Sequence, residues 1–270
     1  MNKKQTNIQN RPLFSIVIPA YKADSFILDT INSRVAELNS LNISYEIIVV
    51  VDGYAPATVK ALSSFPEDIV RIYHYEQNRG KGFAVRFGMM RAKGDYIGYV
   101  DAGADILPGN LTTIINTIRS GQFDLVVPSK WHKQSEVSYS PSRKLFSRFY
   151  NKYAGLLTGV KVSDTQVGIK FYTKEVVAAV LPRLLVKRFA FEIEFLAVAS
   201  KLGFTSIAEV PILLQEDKKN STITFFEGLR SFWDTTAVFY RLRILDYYGK
   251  SQIYFKDSIK REVASLRLIN

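Results

Sequence analysis

Residues 13–18 read LFSIVI and residues 45–51 read YEIIVVV. Each is a nearly continuous apolar run rich in β-branched side chains, the pattern of a strand covered on both faces of a sheet. Residues 24–39, between them, carry a helical pattern. Outward from this pair, 69–75 (IVRIYHY) reads as a third strand and 80–93 as a helix opened by glycines. Then come a strand at 96–100 (YIGYV), a helix over 109–120 and a strand at 124–128 (DLVVP). Strands alternating with helices at this spacing predict an α/β fold with a mainly parallel sheet flanked by helices on both faces. In such sheets ligands bind beyond the carboxyl ends of the strands.

Four of those ends carry chemically suggestive residues: Pro19-Ala20-Tyr21-Lys22-Ala23-Asp24, Asp52-Gly53, Asn78-Arg79-Gly80-Lys81-Gly82, and Asp101-Ala102-Gly103-Ala104-Asp105. Asp24 and Asp52 suit a polar ligand, and they equally suit helix caps, since a short oxygen-bearing side chain satisfies free amides at a helix start. Gly80-Lys81-Gly82 opens a helix, where free N–H groups and the helix dipole favour phosphate and Lys81 adds charge, although the spacing is not that of a Walker loop. Two carboxylates at one strand end, Asp101 and Asp105, are hard oxygen donors able to hold magnesium or manganese against a diphosphate.

The 270 residues suffice for one large domain, or a domain with an appendage, and a 47% hydrophobic, 23% charged composition excludes an extended disordered chain. With no cysteine there is no disulfide, thiolate metal site or cysteine nucleophile, and with only His74 and His132 there is no three-histidine metal site. The net charge of +11 is concentrated in two segments: residues 128–161 hold seven Lys or Arg against Glu136, and 218–270 hold ten against five acids. Such patches suit a phosphate-bearing partner or a solvated basic surface. Nucleic acid is not the expected partner, because no nucleic-acid motif is present and the acidic strand ends repel a phosphate backbone. The longest apolar stretch, 176–199, is broken by Arg183, Lys187, Arg188, Glu192 and Glu194, so no segment reads as a membrane span. The first residues, MNKKQTNIQNRP, lack the apolar core of a signal peptide, and a cytoplasmic, peripherally membrane-associated protein is expected.

The runs SIVIPAYKAD (15–24), YEIIVVVDG (45–53), NRGKGFAVRFGMMRAKGDYIGYVDAGAD (78–105), DTQVGIKFYTKE (164–175), RFAFEIEFLAVASKLGF (188–204) and IAEVPI (207–212) together resemble the inverting family 2 glycosyltransferases. Within that family they look most like the polyprenyl-phosphate (dolichyl-phosphate) β-glucosyltransferases, over residues 13–215. The resemblance implies a GT-A fold with a Rossmann-like central sheet, a nucleotide-sugar donor and a divalent cofactor, Mg2+ or Mn2+. It implies Pro19, Tyr21, Asp24, Asp52, Lys81 and Asp101 as donor-binding residues, with Asp101 as the first carboxylate of the DxD motif. The sequence departs from that motif at Gly103, where the second acid is missing, and at Val51, where the family often has an acid. Either Asp105 stands in for the missing acid as a metal ligand, or the metal has fewer protein ligands and more water.

By the same resemblance Arg143, Ser147 and Arg148 are acceptor-phosphate residues, and arginine suits that role through its bidentate fork. Surface charge is the alternative reading. Asp164, in DTQ, and Glu192, in FEIE, are implied beside Asp101 as catalytic residues; Asp164 also suits a helix cap. Glu192 and Glu194 are two apart and so diverge on a helix, and Glu192 is the one expected at the site. The implied reaction transfers a hexose, glucose from UDP-glucose, to a polyprenyl phosphate. A GDP-mannose donor or a saccharide acceptor is the sister reading, and a noncatalytic nucleotide-sugar or lipid-phosphate binding module is suggested by Gly103.

From 225 to 248 apolar and aromatic residues recur with helical spacing, with Arg230, Arg241 and Arg243 between them, predicting one long amphipathic helix. Such a face suits a membrane surface, the catalytic domain or a second copy of the chain. The expected organisation is therefore a flexible N-terminus (1–12), a catalytic domain (13–215) and a C-terminal amphipathic segment (216–270), whose last part, 250–270, reads as a further surface helix.

Overall fold

The computed structural model describes residues 13–215 and 225–250. The elements in chain order are β1 (Phe14–Ala20), α1 (Ile27–Ser40), β2 (Tyr45–Asp52), α2 (Pro56–Leu62), β3 (Val70–Tyr75), α3 (Lys81–Met89), β4 (Tyr96–Val100), α4 (Asn110–Arg119) and β5 (Leu125–Pro128). They continue with β6 (Glu136–Ser138), α5 (Pro141–Thr158), β7 (Ile169–Thr173), α6 (Lys174–Val180), α7 (Phe191–Lys201), β8 (Ile207–Val210), β9 (Leu213–Gln215) and α8 (Phe225–Phe239).

Seven strands form one sheet in the order β3-β2-β1-β4-β7-β5-β8, and β6 pairs with β9 in a small second sheet. The large sheet is parallel apart from β7, which runs antiparallel to both β4 and β5. The alternation of side chains along each strand divides the core in two. Val17, Ile48 and Val50 face α3 and α7, whereas Ile16, Ile18, Ile47, Val49 and Val51 face the layer of α1 and α4. Both faces are therefore buried, which is why β1 and β2 are apolar along most of their length, with Ser15 and Glu46 paired to each other at 2.6 Å.

The reversed strand positions the site. Because β7 runs against β4, its first residues lie beside the carboxyl end of β4: Val100 pairs with Ile169 and Tyr99 with Lys170. The 164–168 loop is thereby delivered to Asp101, whose N–H donates to the Gly168 carbonyl at 2.7 Å.

Three sequence expectations are corrected. The first helix starts at Ile27, which leaves Asp24 in the preceding turn, and α3 ends at Met89. The start of α3 is closed by protein: Phe83 N–H donates to the Lys187 carbonyl at 3.0 Å. Any side chain at Gly82 would meet Phe191 Cβ at 2.6 Å, and one at Gly80, whose φ is +96°, would meet the Lys187 carbonyl oxygen at 2.6 Å. These glycines admit the close approach of the 187–191 segment. The long C-terminal helix is broken: α8 passes into a π-helical turn at Tyr240–Ile244 and a 3-10 turn at Tyr247–Gly249, after Asp246 takes a left-handed φ of +45°. This reversal buries Tyr248 completely and lets its hydroxyl donate to Glu194 Oε1 at 2.6 Å. One face of α8 packs on α5, with Phe232 among Phe146, Phe149, Tyr150 and Tyr153 and the Tyr150 and Thr235 hydroxyls 2.7 Å apart. The expected N-terminal segment 1–12, the 216–224 link and the 251–270 tail lie outside the described residues. Among the described residues no helix is long and apolar enough to cross a membrane.

Candidate active site

The carboxyl ends of β1, β2 and β4 open onto a cleft of about 230 Å³. Its walls include Pro19, Tyr21 and Phe26 at one end, Asp52 and Asn78 behind, and Lys81, Asp101, Gly103 and Asp105 on the floor, with Arg143, Arg188 and Phe189 on the rim.

Asp52, at the end of β2, organises the loop that opens α3. Its Oδ1 accepts the Arg79 N–H at 2.7 Å, and its Oδ2 accepts the Gly80 N–H at 2.8 Å and the Asn78 amide at 3.0 Å. Burial pushes its carboxyl pKa up against the lowering effect of the two amides. Asp52 thus fixes the turn that leads into α3 as well as forming part of the cleft wall.

Lys81 leaves this loop to reach the floor, where its Nζ lies 2.7 Å from Asp101 Oδ1, donates to Asp101 Oδ2 at 2.8 Å and to Glu192 Oε1 at 2.7 Å. Burial works to lower the lysine pKa, but Asp101 and Glu192 outweigh it and hold it above its ordinary value. Desolvation raises the Asp101 carboxyl while Lys81 opposes it. Glu192, deep in α7, would be raised by burial, yet Lys170 and Lys81 hold it below its ordinary value. Its second oxygen accepts from Lys170 Nζ at 2.9 Å.

Asp101 Oδ1, 2.7 Å from the Lys81 ammonium, is itself buried, while the side chain as a whole is about a third exposed. Asp105 folds back so that its Oδ1 would be 2.8 Å from any Cβ at position 103. Its carboxylate therefore occupies the space beside the residue where the DxD motif would have its second acid. Arg143 Nη2 is 3.7 Å from Asp105 Oδ2, and its guanidinium stacks 3.9 Å from the Tyr139 ring centre.

The structure thus brings Pro19, Tyr21, Asp52, Lys81, Asp101, Asp105 and Arg143 to one cleft, with Glu192 immediately behind Lys81. Four other expected residues lie elsewhere. Asp24 is absent from the cleft lining, and its carboxylate accepts from the Thr58 hydroxyl. Asp164 is fully buried and its oxygens are already engaged by Lys130 N–H (3.0 Å), Lys130 Nζ (2.7 Å), Asn151 (3.2 Å) and Gln166 N–H (3.1 Å). A carboxylate so occupied ties β5, α5 and the 164–168 loop together and has no free lone pair for a reacting group. Ser147 follows Arg143 by one helical turn, and its hydroxyl is buried with no hydrogen-bond partner among the described residues. Arg148 points away, 5.3 Å over the Trp131 ring.

Sequence reasoning passed over Arg188, whose Nη1 pairs with Glu227 Oε1 at 2.9 Å across the rim, and Lys170 beneath the floor. For Lys170 a signal existed: a single charge in the otherwise apolar strand IKFYT must have a buried partner.

Three comparisons bear on this site. The family model described as glycosyl transferase family 2 matches residues 15–181. The chain is 28% identical over 242 residues to a dolichyl-phosphate β-glucosyltransferase of Dictyostelium discoideum, covering 84% of this chain and 74% of that one. It is also 28% identical over 247 residues to the dolichyl-phosphate β-glucosyltransferase of Homo sapiens, covering 86% and 75%. Among solved structures, glucosyl-3-phosphoglycerate synthase from Mycobacterium tuberculosis, in complex with Mn2+, UDP and glucosyl-3-phosphoglycerate, superposes with a TM-score of 0.62 at 17% identity, over 89% of this chain and 81% of that one. The GT-A fold expected from the sequence is the fold observed.

Proposed function

The chain belongs to glycosyl transferase family 2, and from that premise we propose that it transfers glucose from UDP-glucose to a polyprenyl phosphate, with inversion, at the cytoplasmic face of a membrane. The observation that carries this reading is the meeting in one cleft of an Asp101–Lys81 floor, an Asp105 carboxylate and an Arg143 guanidinium. The relatives named for glucosyl transfer to dolichyl phosphate support the choice of sugar and acceptor.

Pro19, Tyr21 and Phe26 offer the flat surfaces on which a nucleoside rests, and Lys81 directs positive charge at the diphosphate. Asp101, whose side chain is about a third exposed in the cleft, and Asp105, folded back beside Gly103, are hard oxygen donors of the kind that fit a divalent ion. Among the described residues no cluster of three His, Cys, Asp or Glu surrounds them, so these two residues would hold Mg2+ or Mn2+. When bound, the ion supplies neutralisation of charge on the departing diphosphate. Arg143 orients the acceptor phosphate, whose anionic oxygen attacks the anomeric carbon as the bond to the nucleoside diphosphate breaks on the opposite side. No proton needs to leave this nucleophile, which fits an Asp164 with no free lone pair.

Contact with a membrane surface is supported by exposed Leu145, Phe149 and Leu156 along α5 and exposed Trp233 and Ile244 at the C-terminal end of the chain described. Lys152, Arg230 and Arg243, also exposed, flank them and suit anionic lipid. A second copy of the chain is the other partner such a face admits.

The test is transfer from radiolabelled UDP- and GDP-sugars into an organic-extractable polyprenyl phosphate, with manganese, magnesium or chelator. Label entering lipid from UDP-glucose, and lost with chelator, is expected. No lipid product from any donor, with nucleotide binding intact, would move the acceptor to a saccharide or the chain to a binding role. In the same assay Arg143→Ala is expected to raise KM for the lipid about 10- to 100-fold, the worth of one charge-assisted contact of about 1.5–3 kcal/mol. An unchanged KM would remove Arg143 from the acceptor site.

A further inference from the structure

Lys170 is fully buried in the middle of β7. Its Nζ meets three acceptors: the Val167 carbonyl at 2.6 Å, Glu192 Oε2 at 2.9 Å and the Tyr99 hydroxyl at 3.2 Å. Three acceptors engage the three protons of an ammonium, so the side chain sits there as a cation. A buried charge is tolerated only when paired, and Glu192 is its partner.

That pair does not stand alone. Glu192 Oε1 holds Lys81 at 2.7 Å, and Lys81 holds Asp101 at 2.7 Å. The result is a row of alternating charges, Lys170, Glu192, Lys81, Asp101, drawn from β7, α7, the start of α3 and the end of β4. Tyr99 underlies it, with its ring centre 5.7 Å from the Lys170 ammonium and 5.5 Å from that of Lys81. The row is neutral as a whole. Without Lys170 it carries one net negative charge, and the Lys81 ammonium is left to balance two carboxylates in a low-dielectric setting.

We propose that Lys170 is a positioning residue of the donor site: by neutralising Glu192 from behind, it leaves the charge of Lys81 to act on Asp101 and on an incoming nucleoside diphosphate. Lys170 touches no ligand and acts through Glu192 and Lys81. This rests on reading the cleft as a nucleotide-sugar site, and the experiment separates the two claims.

Affinity for UDP and for GDP is measured by calorimetry on the full chain and on three variants, Lys170→Met, Glu192→Gln and the double variant, with circular dichroism as the check on fold. Lys170→Met is expected to weaken diphosphate binding about tenfold and to lower the melting temperature, because Glu192 loses its buried partner. Glu192→Gln is expected to bind at least as tightly as the wild type, since one negative charge is gone. The double variant is again neutral and is expected to return to within about threefold of wild-type affinity. A purely structural lysine gives a different result: folded Lys170→Met has a lowered melting temperature but binds UDP and GDP with wild-type affinity, and that outcome overturns the proposal. Should Lys170→Met fail to fold, the double variant decides alone, with near-wild-type affinity supporting the charge role and a tenfold loss refuting it. Wild-type protein that binds neither UDP nor GDP would overturn the donor-site reading itself, and this inference with it.

Discussion

Asp101→Ala is expected to lower kcat for sugar transfer by about 10²- to 10³-fold, the loss typical of removing one preorganised electrostatic contact from a transition state. The residue stands where three requirements meet. Both its oxygens lie against the Lys81 ammonium, at 2.7 and 2.8 Å, its side chain is about a third exposed in the cleft, and its N–H holds the Gly168 carbonyl. Removing it leaves Lys81 paired with Glu192 alone and leaves Asp105 as the remaining floor carboxylate. The fold should persist, because the backbone bond from Asp101 N–H to the Gly168 carbonyl needs no side chain. Asp101→Asn separates charge from size: it keeps the volume, and an equal loss would assign the effect to the carboxylate charge. The measurement is steady-state transfer with saturating manganese, beside circular dichroism. Turnover within tenfold of the wild type would remove Asp101 from the reaction.

How much of this was readable beforehand depends on what each residue's signal was made of. β1 and β2 were legible because burial on both faces leaves a short, nearly continuous apolar run rich in β-branched residues, too short for a helix of ordinary length. The acids Asp52, Asp101 and Asp105 were legible because each ends or follows a strand. α5 was not anticipated: its apolar residues divide between a face packed on α8 and the exposed Leu145 and Leu156, so no single stripe stands out. β7 was hidden by Lys170, a charge that only makes sense once α7 brings Glu192 against it. Asp164 shows the reverse problem. A signature acid reads as chemistry, and only the positions of Lys130, Asn151 and Gln166, brought together by three separate elements, reveal a carboxylate already fully engaged. Helix geometry foretold that Glu192 and Glu194 diverge, and the resemblance, not the geometry, singled out the first: Glu192 turns to Lys81, while Glu194 accepts the Leu185 and Val186 amides and the Tyr248 hydroxyl.

Gly168→Ala is expected to cost nearly as much activity as loss of Asp101 itself. A Cβ at this position would lie 2.0 Å from Asp101 Oδ2 and 2.4 Å from its Cγ, far inside any tolerated contact. Backbone movement is a poor relief, because Ile169 is fully buried and paired with Val100 inside the sheet, and the Gly168 carbonyl holds Asp101 N–H. The carboxylate is the part that can move, and moving it breaks the contact with Lys81 and withdraws the oxygen that faces the cleft. A loss of about 10²-fold in kcat should follow, with a stability cost of about 1–3 kcal/mol, typical of one added methyl in a packed site. The decisive comparison is non-additivity. With alanine at position 101 the nearest atom to the new methyl is the Cβ at 3.1 Å, a contact that small shifts can absorb. Gly168→Ala should therefore add less than about threefold on top of Asp101→Ala, as expected for two changes that act through one carboxylate. Losses that multiply would mean that Gly168 serves the reaction independently of Asp101. Full activity in Gly168→Ala alone would mean that the Asp101 carboxylate does not work from the position described.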